Sequence, residues 1–224
     1  MIDQLCVWTA GLAMALLIVG CATTEKTRSA KPSGFLGDYS KLRQGGDDEA
    51  QLVFINPQAD WSKYTKVLMD PVRVYANRDS KLAKHSPSEL KILVDSFDAS
   101  IRTALAGDYA FVTSPGPEAL RIRIAITEAQ GSVVLLDTMS NVLPPMVVVT
   151  SLKKAATGTH LAVGKTGVEA EILDAQTGKQ LAAMVDERAG GKTFKGKFGK
   201  WNDTKAAFDH WAGRLKARLA TLRG

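Results

Sequence analysis

The chain has 224 residues, of which 45% are hydrophobic and 23% are charged, and its formal net charge is +6. This composition is typical of a globular domain with a core of its own, and it excludes disorder as the dominant state of the chain. The chain contains only two cysteines, both within its first 21 residues, which excludes the disulfide framework of small secreted domains.

An apolar leader begins the chain. No charged residue occurs between Gln4 and Thr24, and the run LCVWTAGLAMALLIVG has the length of a signal-peptide core. The run ends in Ile-Val-Gly-Cys at residues 18–21, which resembles the lipobox of bacterial lipoproteins. In that class a diacylglycerol is attached to the cysteine, and the peptide before the cysteine is removed. The resemblance implies a signal peptide over residues 1–20, lipidation of Cys21 and, because Ala22 is not Asp, export to the outer membrane.

Two alternatives stay open for the leader. It carries Asp3 where a signal peptide usually has Lys or Arg, so either the assigned start is wrong or the terminal amine alone supplies the positive charge. The uncharged run also approaches the length of a membrane span, so an uncleaved anchor is the second alternative. We expect a lipid anchor on the periplasmic face of the outer membrane, with the inner membrane as the alternative. Each buried methylene contributes about 0.8 kcal/mol, so several acyl chains hold such a protein.

After the leader, the first half of the chain is predicted to be a linker followed by short strands. Residues 21–33 are predicted to be the lipidated Cys21 and a flexible polar linker, and residues 34–224 a single periplasmic domain. The apolar spacing in SGFLGDYSKL predicts a short helix or turn that docks on the domain. QLVFINP predicts a strand ended by Pro57, and YTKVLMDPVRVYA predicts a strand with a bulge or sheet edge at Pro71.

A helix and a long strand follow. Ser86, Pro87 and Glu89 form a capping box with proline at the first helical position, and apolar residues continue at helical spacing to Leu105. In YAFVTSPGPEALRIRIAITEAQG we predict a strand, a turn and a longer strand. Isoleucine and arginine alternate over residues 120–127, which predicts one buried and one polar sheet face.

The last third of the chain predicts a hairpin and a helix. Residues 133–161 are apolar, are broken by two prolines and have no clean period. A packed segment is favoured there over an exposed loop for a partner or the bilayer. VEAEILDAQTGKQLAAMVDERAG predicts a hairpin with its turn between Asp174 and Gly178. A helix capped near Asn202 or Asp203 completes an α+β fold, a two-layer sandwich whose mostly antiparallel or mixed sheet carries two main helices on one face.

The sequence predicts no catalytic residue, cofactor or metal site. GTHLAVGKTG resembles a phosphate-binding loop, but five residues instead of four separate its glycines, and a strand pattern follows where that motif requires a helix. The three histidines lie far apart, without metal-ligand spacing, and His210 is predicted to be a surface or rim residue. The acids of the predicted hairpin are interpreted as charges on strand faces: Glu169, Glu171, Asp186 and Glu187.

Basic residues are concentrated near the C-terminus, where ten Lys or Arg follow residue 187 against two Asp. A solvated surface is the favoured interpretation, and contact with phospholipid or an anionic envelope polymer is the alternative. Nucleic acid is not expected, because few aromatic residues lie among the basic ones.

Three stretches resemble one family in the same order. SGFLGDYSKL, VEAEILDAQTGKQLAAMVDERAGGK and KWNDTKAAFDHWAGRLKARL are similar to the domain-of-unknown-function family 3313 of bacterial lipoproteins, over residues 33–222. The resemblance implies an envelope lipoprotein and supplies no activity. Our main hypothesis is a non-enzymatic binding or accessory lipoprotein, for which a flat surface is expected. The alternatives are a periplasmic enzyme, for which a deep pocket with a histidine or converging carboxylates is expected, and a transport accessory docking through residues 133–161.

Overall fold

A computed structural model of the protein describes residues 24–27, 30–76, 80–130, 165–190 and 201–224. The predicted leader, Cys21 and the apolar segment 133–161 lie outside the described residues. So do His160 and the first two glycines of the GTHLAVGKTG stretch, Gly158 and Gly164.

Nine strands form one sheet within the described part of the chain. They are β1 Thr24–Lys26, β2 Arg43–Gln44, β3 Leu52–Ile55, β4 Lys66–Met69, β5 Arg73–Val74, β6 Ala110–Val112, β7 Ala119–Ala129, β8 Lys165–Asp174 and β9 Gln180–Gly190. The sheet has the order β2-β3-β9-β8-β7-β4-β6, with β1 also paired to β9 and β5 to β7. Strand β4 is parallel to β6 and β7, strand β5 is parallel to β7, and the other pairs are antiparallel. The predicted α+β fold with a mixed sheet is therefore confirmed.

Two long helices pack on one face of the sheet. Helix α1 spans Pro87–Leu105 and helix α2 spans Asn202–Arg223, while a short 3₁₀ helix covers Lys81–Lys84. The predicted capping box at Ser86 is present, with its side chain bonded to the backbone of Glu89 and the Glu89 side chain bonded back. The rings of Phe97 on α1 and Phe208 on α2 stack with centroids 4.3 Å apart, which joins the helices over the core.

Helix α2 begins differently from the prediction. The residue before its first turn is Trp201, whose side chain makes no capping hydrogen bond. Asn202 and Asp203 instead lie inside the first turn, where the charge of Asp203 complements the positive end of the helix dipole.

The second face of the sheet is covered by the N-terminal part of the domain. The isoleucines of β7 face the helices as predicted, but Ala125 and Thr127 of the predicted polar face are also buried. On this face the fully buried Glu169 accepts hydrogen bonds from the Tyr39 hydroxyl, at 2.5 Å, and from the Ser33 backbone. The SGFLGDYSKL stretch therefore docks on the sheet, and it does so through turns rather than a helix.

Part of the predicted linker belongs to the sheet. Strands β1 and β3 lie end to end along one edge of β9, because β9 extends beyond the residues that β3 pairs. Thr24–Lys26 covers this free edge, whose open backbone groups would otherwise be exposed, and the Thr27 backbone N–H donates to the Glu187 carbonyl at 3.0 Å. The sheet therefore begins at Thr24, only three residues after Cys21.

Candidate ligand-binding cavity

A cavity of about 350 Å³ lies between α2 and the β3–β9–β8–β7 part of the sheet. Its volume falls within the range of about 300–1,000 Å³ that small-molecule sites occupy. Two neighbouring rows of side chains across the sheet form its floor: Ile55, Ala182, Ile172 and Ile122, then Val53, Met184, Ala170 and Ile124. Both helices contribute to its roof, which consists of Phe97, Ile101, Trp211 and Leu215.

Two small side chains account for the space. Ala170 on β8 and Ala182 on β9 belong to neighbouring rows of the floor and face α2, where larger apolar residues would fill the gap. Helix α2 does not collapse onto them, because its packing on α1 and its contact with Asp186 hold it above the sheet. The cavity is therefore a consequence of strand register and helix position together.

Charged residues surround the mouth of the cavity. Loop 45–50 approaches α2 there, with Asp48 3.6 Å from Arg214 and Glu49 3.2 Å from Arg218. Glu49 also pairs with Arg43 at 2.7 Å, and these partners lower the pKa of Glu49 to about 2, the Arg43 hydrogen bond most strongly. The loop is closely turned, because a Cβ atom at Gly45 would lie 1.8 Å from the Ala50 carbonyl oxygen.

Asp186 lies at the inner side of the mouth and is only 3% exposed. Its carboxylate accepts hydrogen bonds from Trp211 Nε1 at 2.7 Å and from the Gln51 backbone at 3.1 Å. Burial raises the pKa of Asp186, against the effect of these donors and of the Arg188 guanidinium 4.0 Å away. The residue connects β9 to α2 and to the segment before β3.

His210 lies at the mouth, where the sequence predicted a surface or rim position. Burial lowers the pKa of His210 to about 4, with further contributions from Arg188 and Arg214. The imidazole is therefore neutral near pH 7. His85 lies elsewhere, where its Nε2 is 3.1 Å from the Ala129 carbonyl oxygen and its ring meets Trp201 edge-on.

The remaining hairpin acids do not enter the cavity. They lie on strand faces as predicted, but Glu169 and Glu171 are buried on the opposite face of the sheet, where Glu171 pairs with Arg123. In the described ranges, no three His, Cys, Asp or Glu side chains are grouped so that they could hold a metal ion. Among the helices that the structure describes, none has the length and apolar character needed to cross a membrane.

Several of the C-terminal basic residues pair within the domain rather than forming one basic surface. Lys216 lies 3.2 Å from Asp108, and the Arg223 guanidinium lies over the Tyr109 ring, in addition to the two arginine pairs at the mouth. The Lys residues between positions 191 and 200 lie outside the described residues.

Known proteins resemble this chain in sequence and in fold. It is 28% identical over 183 residues to the uncharacterized lipoprotein YdcL of Escherichia coli K12, covering 81% of each chain. The PelC dodecamer structure from Paraburkholderia phytofirmans is similar with a TM-score of 0.40 and 10% identity, over 73% of this chain and 94% of that one. The structure of protein XCC0632 from Xanthomonas campestris is similar with a TM-score of 0.36 and 13% identity, over 75% of this chain and 89% of that one. The model of the protein family of unknown function DUF3313 matches residues 31–215, so this chain belongs to the DUF3313 family, as the three sequence stretches predicted.

Proposed function

We propose that this protein is a lipid-anchored envelope lipoprotein whose domain binds an apolar ligand without transforming it. The observation that carries the proposal is the cavity under α2, whose floor is apolar and whose charged groups are confined to the mouth. This arrangement has the character of small-molecule sites, in which an apolar lining is combined with a few polar groups. The sequence hypothesis of a binding protein is kept, with a cavity in place of the expected flat surface.

The anchor is supported by the lipobox-like residues before Cys21 and by the lipoprotein relative YdcL. Only two residues lie between Cys21 and Thr24 of β1, so an extended chain spans at most about 11 Å from one to the other. Lipid on Cys21 would hold the β1 edge of the sheet close to the membrane surface. We assign this surface to the periplasmic face of the outer membrane, because Ala22 follows the cysteine.

Binding fits the cavity better than catalysis. The enzyme alternative expects a deep pocket with a histidine or converging carboxylates, and His210 and Asp186 do both line this one. The Asp186 carboxylate is occupied by Trp211 and the Gln51 backbone. The pKa of about 4 makes His210 a weak base at neutral pH, where general-base catalysis works best with a pKa near the working pH.

The anchor is tested with Cys21→Ala. Cells expressing the full chain are grown with radiolabelled palmitate and fractionated. We expect the wild-type chain to be labelled and to sediment with the membranes, and Cys21→Ala to lose the label, because the thiol that receives the lipid is gone. Cys6→Ala is the matched control and keeps the label. Undiminished labelling of Cys21→Ala would contradict the proposed anchor.

The cavity is tested by filling it. Mature lipidated protein in phosphatidylcholine nanodiscs is titrated with 1-bromododecane. All forms carry Trp61→Phe and Trp201→Phe, so that the recorded emission comes from Trp211, which lines the cavity. Bromine quenches only at short range, so we expect quenching in the wild type and its loss in Ala182→Phe, whose ring occupies the cavity. Ala217→Phe adds the same ring on the exposed side of α2 and keeps the quenching. Equal quenching in Ala182→Phe and the wild type would show that bromododecane binds outside the cavity.

A further inference from the structure

We propose that the ligand is an anionic single-chain lipid of the fatty-acid class. Its alkyl chain lies along the floor of the cavity, and its acid group lies at the mouth between Arg188 and Arg214. This inference rests on the proposed function and names the chemistry of the ligand that the cavity takes.

The shape of the cavity favours a chain. Its lining includes four alternate residues of β9, namely Ala182, Met184, Asp186 and Arg188. The six steps of strand from Ala182 to Arg188 extend over about 20 Å, so the lined strip is long enough for an alkyl chain. The inner part is formed by aliphatic and aromatic side chains, and the polar groups begin only at Asp186. One end of the ligand is therefore apolar and the other end is polar.

The mouth favours a negative charge. Arg188 is largely buried, and its pKa is lowered by burial, raised by the charge of Asp186 4.0 Å away and lowered again by the positive charge of Arg214. The same two guanidinium groups contribute to the lowered pKa of His210. Arg188 and Arg214 thus lie close enough at the mouth to repel each other, and Asp186 offsets part of this repulsion. An acid group placed there relieves this repulsion and accepts charge-assisted hydrogen bonds.

The acids already present at the mouth leave room for such a group. The carboxylate of Asp186 is fixed by its two hydrogen-bond donors. The side chain of Asp48, in contrast, is 96% exposed and pairs with Arg214 only in solvent, where ion pairs contribute little. A ligand acid group can take the place of Asp48 beside Arg214. The loop itself stays in position, because Glu49 remains bonded to Arg43, Arg218 and the Gly46 backbone.

The position of the mouth points to the membrane as the source of the ligand. Lys26 of β1 lines the mouth, and it is paired in register with Arg188. The chain that leads back to Cys21 therefore begins next to the opening. A lipid anchor on Cys21 would bring the opening to the bilayer surface, from which a single-chain lipid could enter the cavity.

The test compares an acid with an alcohol. Full-length protein, processed and lipidated by the cell, is held in phosphatidylcholine nanodiscs at about pH 8 and titrated with 12-bromododecanoate or 12-bromododecanol. The binding is followed by the quenching of Trp211 in the same Trp61→Phe and Trp201→Phe background. We expect the acid to bind the wild type at least tenfold more tightly than the alcohol. Arg214→Gln should reduce this preference to threefold or less, and the matched control Lys216→Gln on the same helix should retain it.

The outcomes separate this inference from the proposed function. Equal binding of acid and alcohol by the wild type, or an undiminished preference in Arg214→Gln, overturns the anionic ligand. The proposed function then still stands if both probes quench and Ala182→Phe abolishes the quenching. If neither the acid nor the alcohol quenches Trp211, both proposals are overturned. Arg214 is an exposed residue, and circular dichroism of Arg214→Gln checks that the fold is unchanged.

Discussion

Asp186 joins three parts of the chain that are far apart in sequence. It lies on β9, and its two hydrogen-bond donors come from α2 and from the segment before β3. The next residue on the same face of β9, Arg188, adds a positive charge at the mouth of the cavity. The sequence indicates only an acid on a strand face, because neither donor is near in the chain. A single buried carboxylate thus positions α2 above the space in which we place the ligand.

His210 gives the stability of the protein a specific pH dependence. The pKa of the folded state, about 4, lies below the usual value of 6.5. Between these values the unfolded chain binds a proton that the folded chain does not, so the free energy of unfolding falls as the pH is lowered through this window. Between pH 7 and about pH 4.5, we expect the free energy of unfolding of His210→Gln to fall by about 1 kcal/mol less than that of the wild type. This figure allows for solvent screening.

Urea unfolding at the two pH values measures this difference. Carboxylates that titrate in the same range affect both proteins equally, so comparing the two losses isolates the histidine. The same loss of stability in His210→Gln and the wild type would show that this side chain does not resist protonation.

At the scale of elements, local sequence determined most of the structure. Helix α1 has its capping box, its first-turn proline and a buried stripe that includes Leu93, Phe97 and Ile101. The hairpin of β8 and β9 has its turn where Asp174 accepts hydrogen bonds from its own loop, and Gly178 adopts a positive φ of 72°. Such signals lie within a few residues of one another, which is why they could be recognised without the fold.

Removing the cap of α1 tests how much this local signal contributes. We expect Ser86→Ala to lower the free energy of unfolding by about 1 kcal/mol, because a backbone N–H at the start of the helix loses its acceptor. Ser96→Ala is the matched control in the same helix. Its hydroxyl bonds only to the Ile92 carbonyl one turn earlier, so stability should be unchanged or slightly higher. Urea unfolding of both variants measures the effect, and equal stabilities would contradict it.

At the scale of the whole molecule, long-range contacts decide what the sequence could not predict. The fold class and the two-helix layer follow from periodicity, whereas the cavity depends on Ala170 and Ala182 facing the same helix in neighbouring rows. The second face of the sheet was predicted to be polar, and on it Tyr39 reaches the buried Glu169 across 130 positions of the chain. Helical and strand spacing carries no information about such pairs, so the burial of these acids could not be predicted.

The pairing of β1 with β9 limits where this protein can act. Strand β1 begins three residues after the proposed lipid attachment site at Cys21, so the tether that a lipid there would provide is short. A short tether keeps the local concentration of membrane-borne molecules high at the mouth and prevents the domain from reaching far beyond the surface. The protein would therefore serve as a stationary acceptor at one membrane, and any molecule that hands over or collects its ligand would have to come to that surface.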